Sequence, residues 1–579
     1  MTSNDFFRST ITLFFLSILF VTLSCQNNKQ QIIPLSAQGP DTLQVNTGNS
    51  DDLAKLEQHY LKNLLDTLPR KDWIGSSGYS NEIREEVKNF YKLRDYRTVW
   101  TTYAEGGDTQ EDLLALLSKA DEEGLMPSDY QVEKAKKWAK NLYEGENKNF
   151  TDILRHDIFL STLALRYLSD LHYGKIRPEK IREDWEVIRE KMTLATQMNK
   201  ALREGDLDEL VEANRPPFFA YEKMKEALAE YEEIKEKGGW PRITGVDLLE
   251  EGDSNQAVIR LKKRLTITGD YPGVEDDSLE AVAFTEELTE KVKEFQVRHG
   301  LEVDGLVGGS TLERLNEPVD VLISRIRLNL ERLRWQPIFS NKKDFIIVNL
   351  PEYKLRYYSD NSKELEMNVV IGDREHTTPV IIDSLEYVTF SPTWAVPPSI
   401  AGKEFLPILR KNPGYLASRN FKLYASWDDK AEELDPYDID WDDVEADNFP
   451  YFIEQQPGGG NSLGKVKFMM PNKRAIYLHD TPADHLFSQP QRSFSHGCIR
   501  LEKPAELAMK LLSKQDPSWD MRKINEYMNM PEPENVVLES KIPVYFLYLT
   551  AFVDESGTLN FREDVYGMDD IQQRYLSQR

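Results

Sequence analysis

Near residue 340 the hydrophobic repeat of this chain switches from a helical period to a strand period, and that switch constrains its fold most. In 152–176 the apolar residues recur about every four positions, which is typical of a helix packed on one face. They are Ile153, Phe159, Leu163, Tyr167 and Leu171. In 345–360 and 364–373, β-branched and aromatic residues flank a turn, which predicts a β-hairpin. Because 579 residues are too many to fold around a single hydrophobic core, we expect a multidomain α+β protein.

Charge excludes one class of partner. The chain has 72 basic and 98 acidic residues, a formal charge of −26, whereas nucleic-acid binding needs a basic surface. Residues 428–447 hold eleven acidic side chains and one lysine. Asp438, Asp440 and Asp442 alternate as in a calcium loop, but the glycine and the terminal glutamate of that motif are missing. We interpret this stretch as a solvated acidic lobe.

The pattern of the N-terminal residues predicts an export signal. Residues 11–23 form an apolar run that is too short to span a bilayer comfortably, and Ser24-Cys25 follows it. A small residue before cysteine, then a polar stretch, resembles a bacterial lipoprotein cleavage site. We therefore expect lipidation at Cys25, a membrane anchor and a periplasmic protein. An ordinary cleaved signal and an uncleaved anchor remain alternatives.

A small module interrupts the helical part. Residues 241–318 contain three short helical patterns separated by glycine-containing turns. With Gly252-Asp253, Phe295-Gln296 and Asp304-Gly305 as anchors, the segment resembles the three-helix peptidoglycan-binding module. Glycan binding and a purely structural insert are both open for this copy.

The second cysteine carries the main functional signal. If Cys25 is lipidated or removed, Cys498 has no disulfide partner within the chain, which favours a reactive thiol in an exported protein. His479 and His496 are both available as a base, and the N–H groups of Gly497 and Cys498 as oxyanion donors. Zinc is the alternative, because His479, His485 and His496 precede the cysteine closely, but their spacing matches no familiar ligand pairing. We predict no metal and no cofactor.

The sequence from 479 to 502, HDTPADHLFSQPQRSFSHGCIRLE, closely matches the signature of the L,D-transpeptidases of the YkuD-type fold. Similarity to the large YcbB-like subgroup extends over most of residues 80–570. The resemblance implies Cys498 as the nucleophile and His479 as its general base, oriented by the backbone carbonyl of Asp480. It implies oxyanion donors from Gly497 and Cys498, with the Tyr477 hydroxyl.

Further residues around the motif are implied by the same resemblance. His496 and Ser495 would shape the site by hydrogen bonding. Arg500 and Arg492 would meet substrate carboxylates through bidentate contacts. Trp394 would line the pocket.

The family's reaction links peptidoglycan stem peptides between their third residues. The cysteine would form a thioester with a donor tetrapeptide, and the side-chain amine of an acceptor diaminopimelate would then take the acyl group. Carbapenems would acylate the same thiol. The alternatives are a peptidoglycan-binding structural lipoprotein and a thiol-dependent peptidoglycan hydrolase or carboxypeptidase.

The domain order predicted on this basis has seven parts. They are a lipoprotein-type signal peptide at 1–24, a flexible tether at 25–78, a helical scaffold at 79–240 and 319–338, the module at 241–318, a β-rich catalytic domain at 339–397 and 463–555, an acidic substrate-capping insertion at 398–462, and a C-terminal tail at 556–579.

Overall fold

The computed structural model describes most of the chain. The described residues are 50–67, 80–101, 108–144, 150–185, 191–273, 282–335, 343–360, 362–428 and 431–577. The predicted signal peptide, Cys25 and the tether on either side of 50–67 lie outside these residues. No helix within them is long and apolar enough to cross a bilayer.

The N-terminal half is a helical bundle. Its helices are α1 (Ser50–Thr67), α2 (Ser80–Leu93), α3 (Asp108–Ser118), α4 (Val132–Glu144), α5 (Phe150–Tyr173), α6 (Leu194–Glu204), α7 (Leu207–Asn214) and α8 (Phe219–Glu236). Helix α5 lies at the centre and is buried along nearly its whole length, since other helices contact it on several sides. Its buried Asp157 accepts hydrogen bonds from the Tyr91 hydroxyl (2.6 Å) and from the Trp100 N–H (2.8 Å).

Helix α1 corrects the prediction of a tether over 25–78. Leu61 and Leu65 are buried in the same core as α5, and the ring of Tyr60 contacts Phe150 edge-on at 5.7 Å between centroids. These apolar residues share one face of an otherwise polar helix. Packing against α5 therefore stabilises a segment that composition alone suggested was unstructured.

The small module has its own core. It consists of β1 (Leu248–Leu249), α9 (Gln256–Ile267), α10 (Glu286–Arg298), β2 (Val307–Gly308) and α11 (Gly309–Leu315). The amide of Gln296 is buried and donates to Asp304 Oδ1 (2.7 Å) and to the Leu306 carbonyl (3.0 Å), which fixes the turn before β2. After the module, α12 (Val319–Trp335) returns to the bundle and packs on α8.

A large sheet follows. Its strands, with those of a smaller sheet (β7, β8 and β9), are β3 (Asp344–Asn349), β4 (Lys354–Ser359), β5 (Ser362–Gly372), β6 (Ile382–Phe390), β7 (Trp394–Ala395), β8 (Phe421–Tyr424), β9 (Phe452–Gln455), β10 (Val466–Met469), β11 (Leu478–His479), β12 (Ser493–Ser495), β13 (Ile499–Leu501) and β14 (Glu534–Leu547). Within the described residues, the large sheet has the order β12-β5-β13-β11-β10-β6-β14-β3-β4, and pairing of β4 with β5 closes it.

Strand alternation joins this sheet to the bundle. In β3, Ile346 and Val348 lie in the core of the sheet domain, whereas Phe345 and Ile347 lie in the helical core. Successive side chains of a strand point to opposite faces, so one strand serves both cores. The multidomain α+β fold with a helical scaffold, a small module and a β-rich domain is confirmed.

The C-terminal residues also differ from the predicted tail at 556–579. The α16 (Pro504–Leu512) and α17 (Met521–Tyr527) helices precede β14, and β15 (Ala551–Val553), β16 (Leu559–Phe561) and α18 (Met568–Ser577) follow it. Gln572 of α18 is fully buried and accepts a hydrogen bond from Arg332 of α12 (2.8 Å). The tail prediction is wrong because this segment closes the interface between bundle and sheet.

The insertion in the sheet domain begins earlier than predicted. Strand β7 pairs with β9, and β9 pairs with β8, so this small sheet already starts at Trp394, before residue 398. The α13 (Pro398–Ile400), α14 (Leu406–Leu409) and α15 (Tyr415–Ser418) helices pack against it, with a π turn at Ala401–Phe405 between α13 and α14. The described part of the acidic stretch forms short 3-10 turns at 436–438, 441–443 and 446–448.

Candidate active site

Three neighbouring strands bring the candidate catalytic residues together. Strands β11 and β13 are parallel, with His479 opposite Arg500, and β10 lies on the other side of β11 with Lys467 opposite His479. The alternate residues Phe468, Leu478 and Ile499 are fully buried in the sheet core. Lys467, His479 and Arg500 therefore share the opposite face of the sheet, which we call the catalytic face.

Cys498 immediately precedes β13 on this face. The Ile499 N–H donates to the Tyr477 carbonyl (3.1 Å), which sets Cys498 beside Tyr477, and the thiol donates to the Ala475 carbonyl at 3.7 Å. The polar groups of Tyr477, its hydroxyl and its backbone N–H, favour the thiolate form of the sulfur and so lower the pKa of Cys498. Burial raises the pKa of the Cys498 thiol above its ordinary value, and these groups, with the charges of Lys467 and Arg500, offset part of the rise.

His479 is held as a neutral imidazole. Its Nδ1 lies 2.5 Å from the carbonyl oxygen of Asp480, the backbone contact that the family resemblance implies. Burial, with the nearby charges of Arg500 and Lys467, lowers the pKa of His479 to about 3. Because Nδ1–H donates to that carbonyl, Nε2 carries the lone pair and is available to accept a proton. His479 and the Cys498 sulfur are not hydrogen-bonded to each other in the described structure, and such contacts often tighten only when substrate binds.

The Asp480 side chain has a separate task. Its Oδ2 accepts from the Lys465 N–H (2.7 Å) and its Oδ1 accepts from the Thr481 N–H (2.7 Å). The carboxylate therefore fixes the loop that follows β11 rather than the imidazole. This agrees with an orienting role for the Asp480 backbone alone.

The turn before Cys498 needs glycine. Gly497 has φ +108°, and a Cβ there would lie 3.3 Å from Ile476 Cδ1. The Gly497 N–H donates to Ser495 Oγ (3.2 Å), and Ser495 Oγ donates to the Cys498 carbonyl (2.6 Å). The N–H expected from Gly497 as an oxyanion donor is thus engaged by Ser495, while the N–H of Cys498 has no acceptor among the described residues.

Two residues that the sequence did not single out support this turn and face. Thr378 Oγ1 donates to the Gly497 carbonyl (2.8 Å) and accepts from the Gly372 N–H (2.9 Å). Lys467 Nζ lies 4.2 Å from the centroid of the Tyr477 ring. Lys467 alternates with buried residues in VKFM, but its proximity to His479 depends on which strand pairs with β10.

The predicted substrate-binding residues divide into two groups. Arg500 lies on the catalytic face, and its buried Nε has no hydrogen-bond partner among the described residues. Arg492 instead donates to the Gln489 carbonyl (2.6 Å) and lies over the Tyr353 ring at 5.1 Å. Protein contacts therefore occupy Arg492, including one to the side-chain oxygen of Asn368 (3.4 Å).

Two other predicted residues belong to the insertion contact. Trp394 packs against the rings of Phe405 and Phe421, at the core of the insertion. His496 points its Nε2 at Glu404 Oε1 of the π turn (2.7 Å). His485 is exposed on a 3-10 turn. Among the described residues, no three His, Cys, Asp or Glu side chains form a group that could hold a metal.

Comparison with known sequences assigns these regions to families. Residues 343–519 match the "L,D-transpeptidase catalytic domain", residues 85–228 match the "Scaffold domain", and residues 254–315 match the "Putative peptidoglycan binding domain". A Haemophilus influenzae protein named "Putative L,D-transpeptidase" is 34% identical over 248 residues, which are 43% of this chain and 48% of that protein. The chain thus spans about half the length of this relative.

Solved structures give more distant likenesses. An L,D-transpeptidase from Stackebrandtia nassauensis is 14% identical, with a TM-score of 0.20, over 52% of this chain and 97% of that one. L,D-transpeptidase 3 from Mycobacterium tuberculosis, solved with a faropenem-derived adduct, is 13% identical, with a TM-score of 0.17, over 35% and 60% of the two chains. The family assignment rests on the sequence matches. This chain carries an L,D-transpeptidase catalytic domain joined to a scaffold domain and a peptidoglycan-binding domain.

Proposed function

We propose that this protein cross-links peptidoglycan stem peptides between their third residues through a thioester on Cys498. One observation carries the proposal. Cys498 and His479 are presented by adjacent strands on one sheet face, and the Asp480 carbonyl at Nδ1 leaves Nε2 of His479 free to take a proton. A nucleophile, a base and an orienting group for that base are what acyl transfer by cysteine requires.

In the first half-reaction, Cys498 Sγ attacks the carbonyl carbon of the third residue of a donor tetrapeptide. The thiol proton passes to His479 Nε2, and the Cys498 N–H donates to the oxygen that gains negative charge. Collapse breaks the peptide bond to the terminal D-Ala. The departing amine takes the proton from His479, which leaves a thioester and a neutral imidazole.

In the second half-reaction, the side-chain amine of an acceptor diaminopimelate attacks the thioester. His479 accepts a proton from that amine, the C–S bond breaks, and the sulfur regains its proton. The product is an amide between two third residues. Water in place of the amine would give carboxypeptidase activity, so the acceptor decides between the two outcomes.

Partners follow from the same chemistry. Arg500, with its unpartnered Nε, suits a carboxylate of the donor stem. The 254–315 domain suits attachment to peptidoglycan. Carbapenems present a strained lactam carbonyl to the same thiol, and ring opening would leave a stable thioester.

Intact-mass measurement after incubation with meropenem tests the nucleophile. We expect one covalent adduct, mapped to Cys498 by peptide analysis, and no adduct in Cys498→Ala. Incubation with disaccharide tetrapeptides should give cross-linked dimers and free D-Ala with the unmodified protein only. Cross-linking by Cys498→Ala would refute the proposal, and an acylated protein that releases only tripeptide would identify a carboxypeptidase.

Two histidine variants test the base. His479→Ala should reduce cross-linking far more than His485→Ala, since His485 is exposed away from these strands. Equal losses in the two variants would instead favour a metal cluster.

The proposal includes a cellular location, which is inferred from the N-terminal sequence alone. We propose lipidation at Cys25 and anchoring to a bacterial membrane facing the periplasm. Metabolic labelling with an alkyne fatty acid should mark the full-length chain and fail to mark Cys25→Ala. Labelling of that variant would rule out Cys25 as the modified residue.

A further inference from the structure

Lys467 is a cation on the catalytic face that no part of the reaction above uses. It lies opposite His479 in the β10–β11 pair and is partly buried. Its ammonium stands over the Tyr477 ring, 4.2 Å from the centroid, in cation–π geometry. The backbone of the same tyrosine lies beside Cys498, since its carbonyl accepts from the Ile499 N–H (3.1 Å), and its hydroxyl favours a negative sulfur. Tyr477 therefore lies between Lys467 and Cys498 in this arrangement.

The surroundings of Lys467 offer it no other anion. Within the described part of the chain, no carboxylate makes an ion pair with Lys467 or with Arg500, and the charged group that favours protonation of both is the Cys498 thiolate. Burial lowers the pKa of Lys467, and a negative sulfur would raise it again. A partly buried cation without a counterion is costly, so the site is electrostatically suited to a negative charge.

The base does not supply that counter-charge at rest. Because His479 is neutral above about pH 3, the resting site holds no imidazolium that could balance a thiolate of Cys498. The fields of Arg500 and Lys467 also disfavour a proton on His479, which separates this site from a cysteine–histidine ion pair.

We propose that Lys467 is a positioning residue that stabilises the thiolate of Cys498, by its own charge and by fixing the ring of Tyr477 next to the sulfur. This inference rests on Cys498 being the nucleophile. In acylation, Lys467 balances the negative sulfur as its proton leaves for His479. In transfer, it balances the sulfur again as the C–S bond breaks, while the proton of the acceptor amine goes to His479. Lys467 keeps all its own protons in both steps.

The test measures the thiol without using a peptidoglycan substrate. Alkylation of Cys498 by iodoacetamide, a neutral reagent that reacts with the thiolate, is followed by peptide mapping from pH 6 to pH 11. We expect Lys467→Met to move the midpoint of the rate profile up by about one pH unit, which slows labelling about tenfold at neutral pH. Lys467→Arg keeps the charge and should keep a midpoint close to that of the unmodified protein.

A matched control removes a lysine from the adjacent loop. Lys473 is exposed, and Lys473→Met should leave the midpoint unchanged. Thermal unfolding verifies that each variant is folded, and Lys467→Gln provides the same comparison if the methionine variant is not. Coincident midpoints for the neutral variant and the unmodified protein would overturn the inference. A lower plateau rate with an unchanged midpoint would also overturn it, because that result indicates a structural role only.

The outcome is separable from the proposed function. If the unmodified protein neither released D-Ala nor formed cross-links, the transpeptidase proposal would be contradicted. A shifted alkylation midpoint in Lys467→Met would still support Lys467 as the partner of the thiolate.

Discussion

Glu404 Oε1 lies 2.7 Å from His496 Nε2, and this polar contact links the insertion to the loop that carries Cys498. Glu404 belongs to the π turn at Ala401–Phe405. A Cβ on Gly402 would lie 2.0 Å from the Ala446 carbonyl oxygen, so this turn packs tightly on the rest of the insertion. The His496 ring also lies 4.6 Å from His376, whose Nδ1 is 3.2 Å from Asp373 Oδ1. Tight packing of the turn and the contacts of His496 together position the insertion against the catalytic loop.

Glu404→Gln should reduce kcat/KM for cross-linking by no more than about fivefold. Both side chains are more than a third exposed, and one such hydrogen-bonded contact contributes about 1 kcal/mol. Steady-state kinetics would measure the change.

Glu432→Gln is the control for Glu404→Gln. It removes an exposed carboxylate from the same insertion and should leave kcat/KM unchanged. Equal kinetic effects of the two variants would mean that the net charge of the insertion matters, and not the contact with His496.

Thr378→Val should lower both the melting temperature and the activity. Thr378 is 1% exposed, and its hydroxyl bonds to the Gly497 carbonyl and to the Gly372 N–H. The valine side chain has nearly the same shape but leaves both buried groups without a partner, which costs about 1–3 kcal/mol. Since Gly497 precedes the nucleophile, the N–H of Cys498 should also lose its fixed position.

Thr378→Ser separates the hydrogen bonds from the shape of the side chain. It keeps the hydroxyl and should retain most of the activity of the unmodified protein, measured by D-Ala release. If valine and serine variants lost activity equally, the methyl group of Thr378 would be the important part.

The part of the site that the sequence predicted lies within one short segment. The sequence motif contains His479, Gly497 and Cys498 within nineteen positions of each other, so it predicts these three residues without any information on the sheet. Lys467 lies at the site because β10 pairs with β11, and Thr378 lies there because its loop packs against Gly497. A single sequence reveals neither the strand pairing nor the position of that loop. The same reason explains the missed burial of α1 and α18, whose packed residues have partners more than eighty positions away in the sequence.

The stability of this protein should fall on acidification, in part because of His299. This residue is 2% exposed, lies stacked 4.0 Å from the Phe295 ring and 5.3 Å from the Phe561 ring, and has no hydrogen-bond partner at either ring nitrogen. Burial, with the charges of nearby arginines, holds its pKa well below the ordinary value. Below about pH 6.5 His299 binds a proton in the unfolded chain but not in the folded chain. The free energy of unfolding is therefore unaffected by His299 above that pH and decreases as the pH falls below it.

His299→Phe should flatten this dependence. Phenylalanine fills the gap between the two rings and does not titrate, so the drop in melting temperature between pH 7.5 and pH 5 should be smaller than in the unmodified protein. His485→Phe alters an exposed histidine and should keep the full drop. An identical drop in all three proteins would contradict the role of His299.

The rate at which a donor stem acylates Cys498, followed by D-Ala release in the first turnover, should be nearly independent of pH between pH 5 and pH 8. Burial lowers the pKa of His479 to about 3 and raises the pKa of the Cys498 thiol, so the pair stays a neutral imidazole beside a protonated thiol over this range. Proton transfer from sulfur to Nε2 then occurs within the attack, and its probability does not change with pH. An acid limb near pH 6.5 would be the mark of an unshifted histidine and would contradict the burial argument. In His479→Ala, only the small thiolate fraction can react, so the residual rate should rise about tenfold for each pH unit, measured by release of D-Ala.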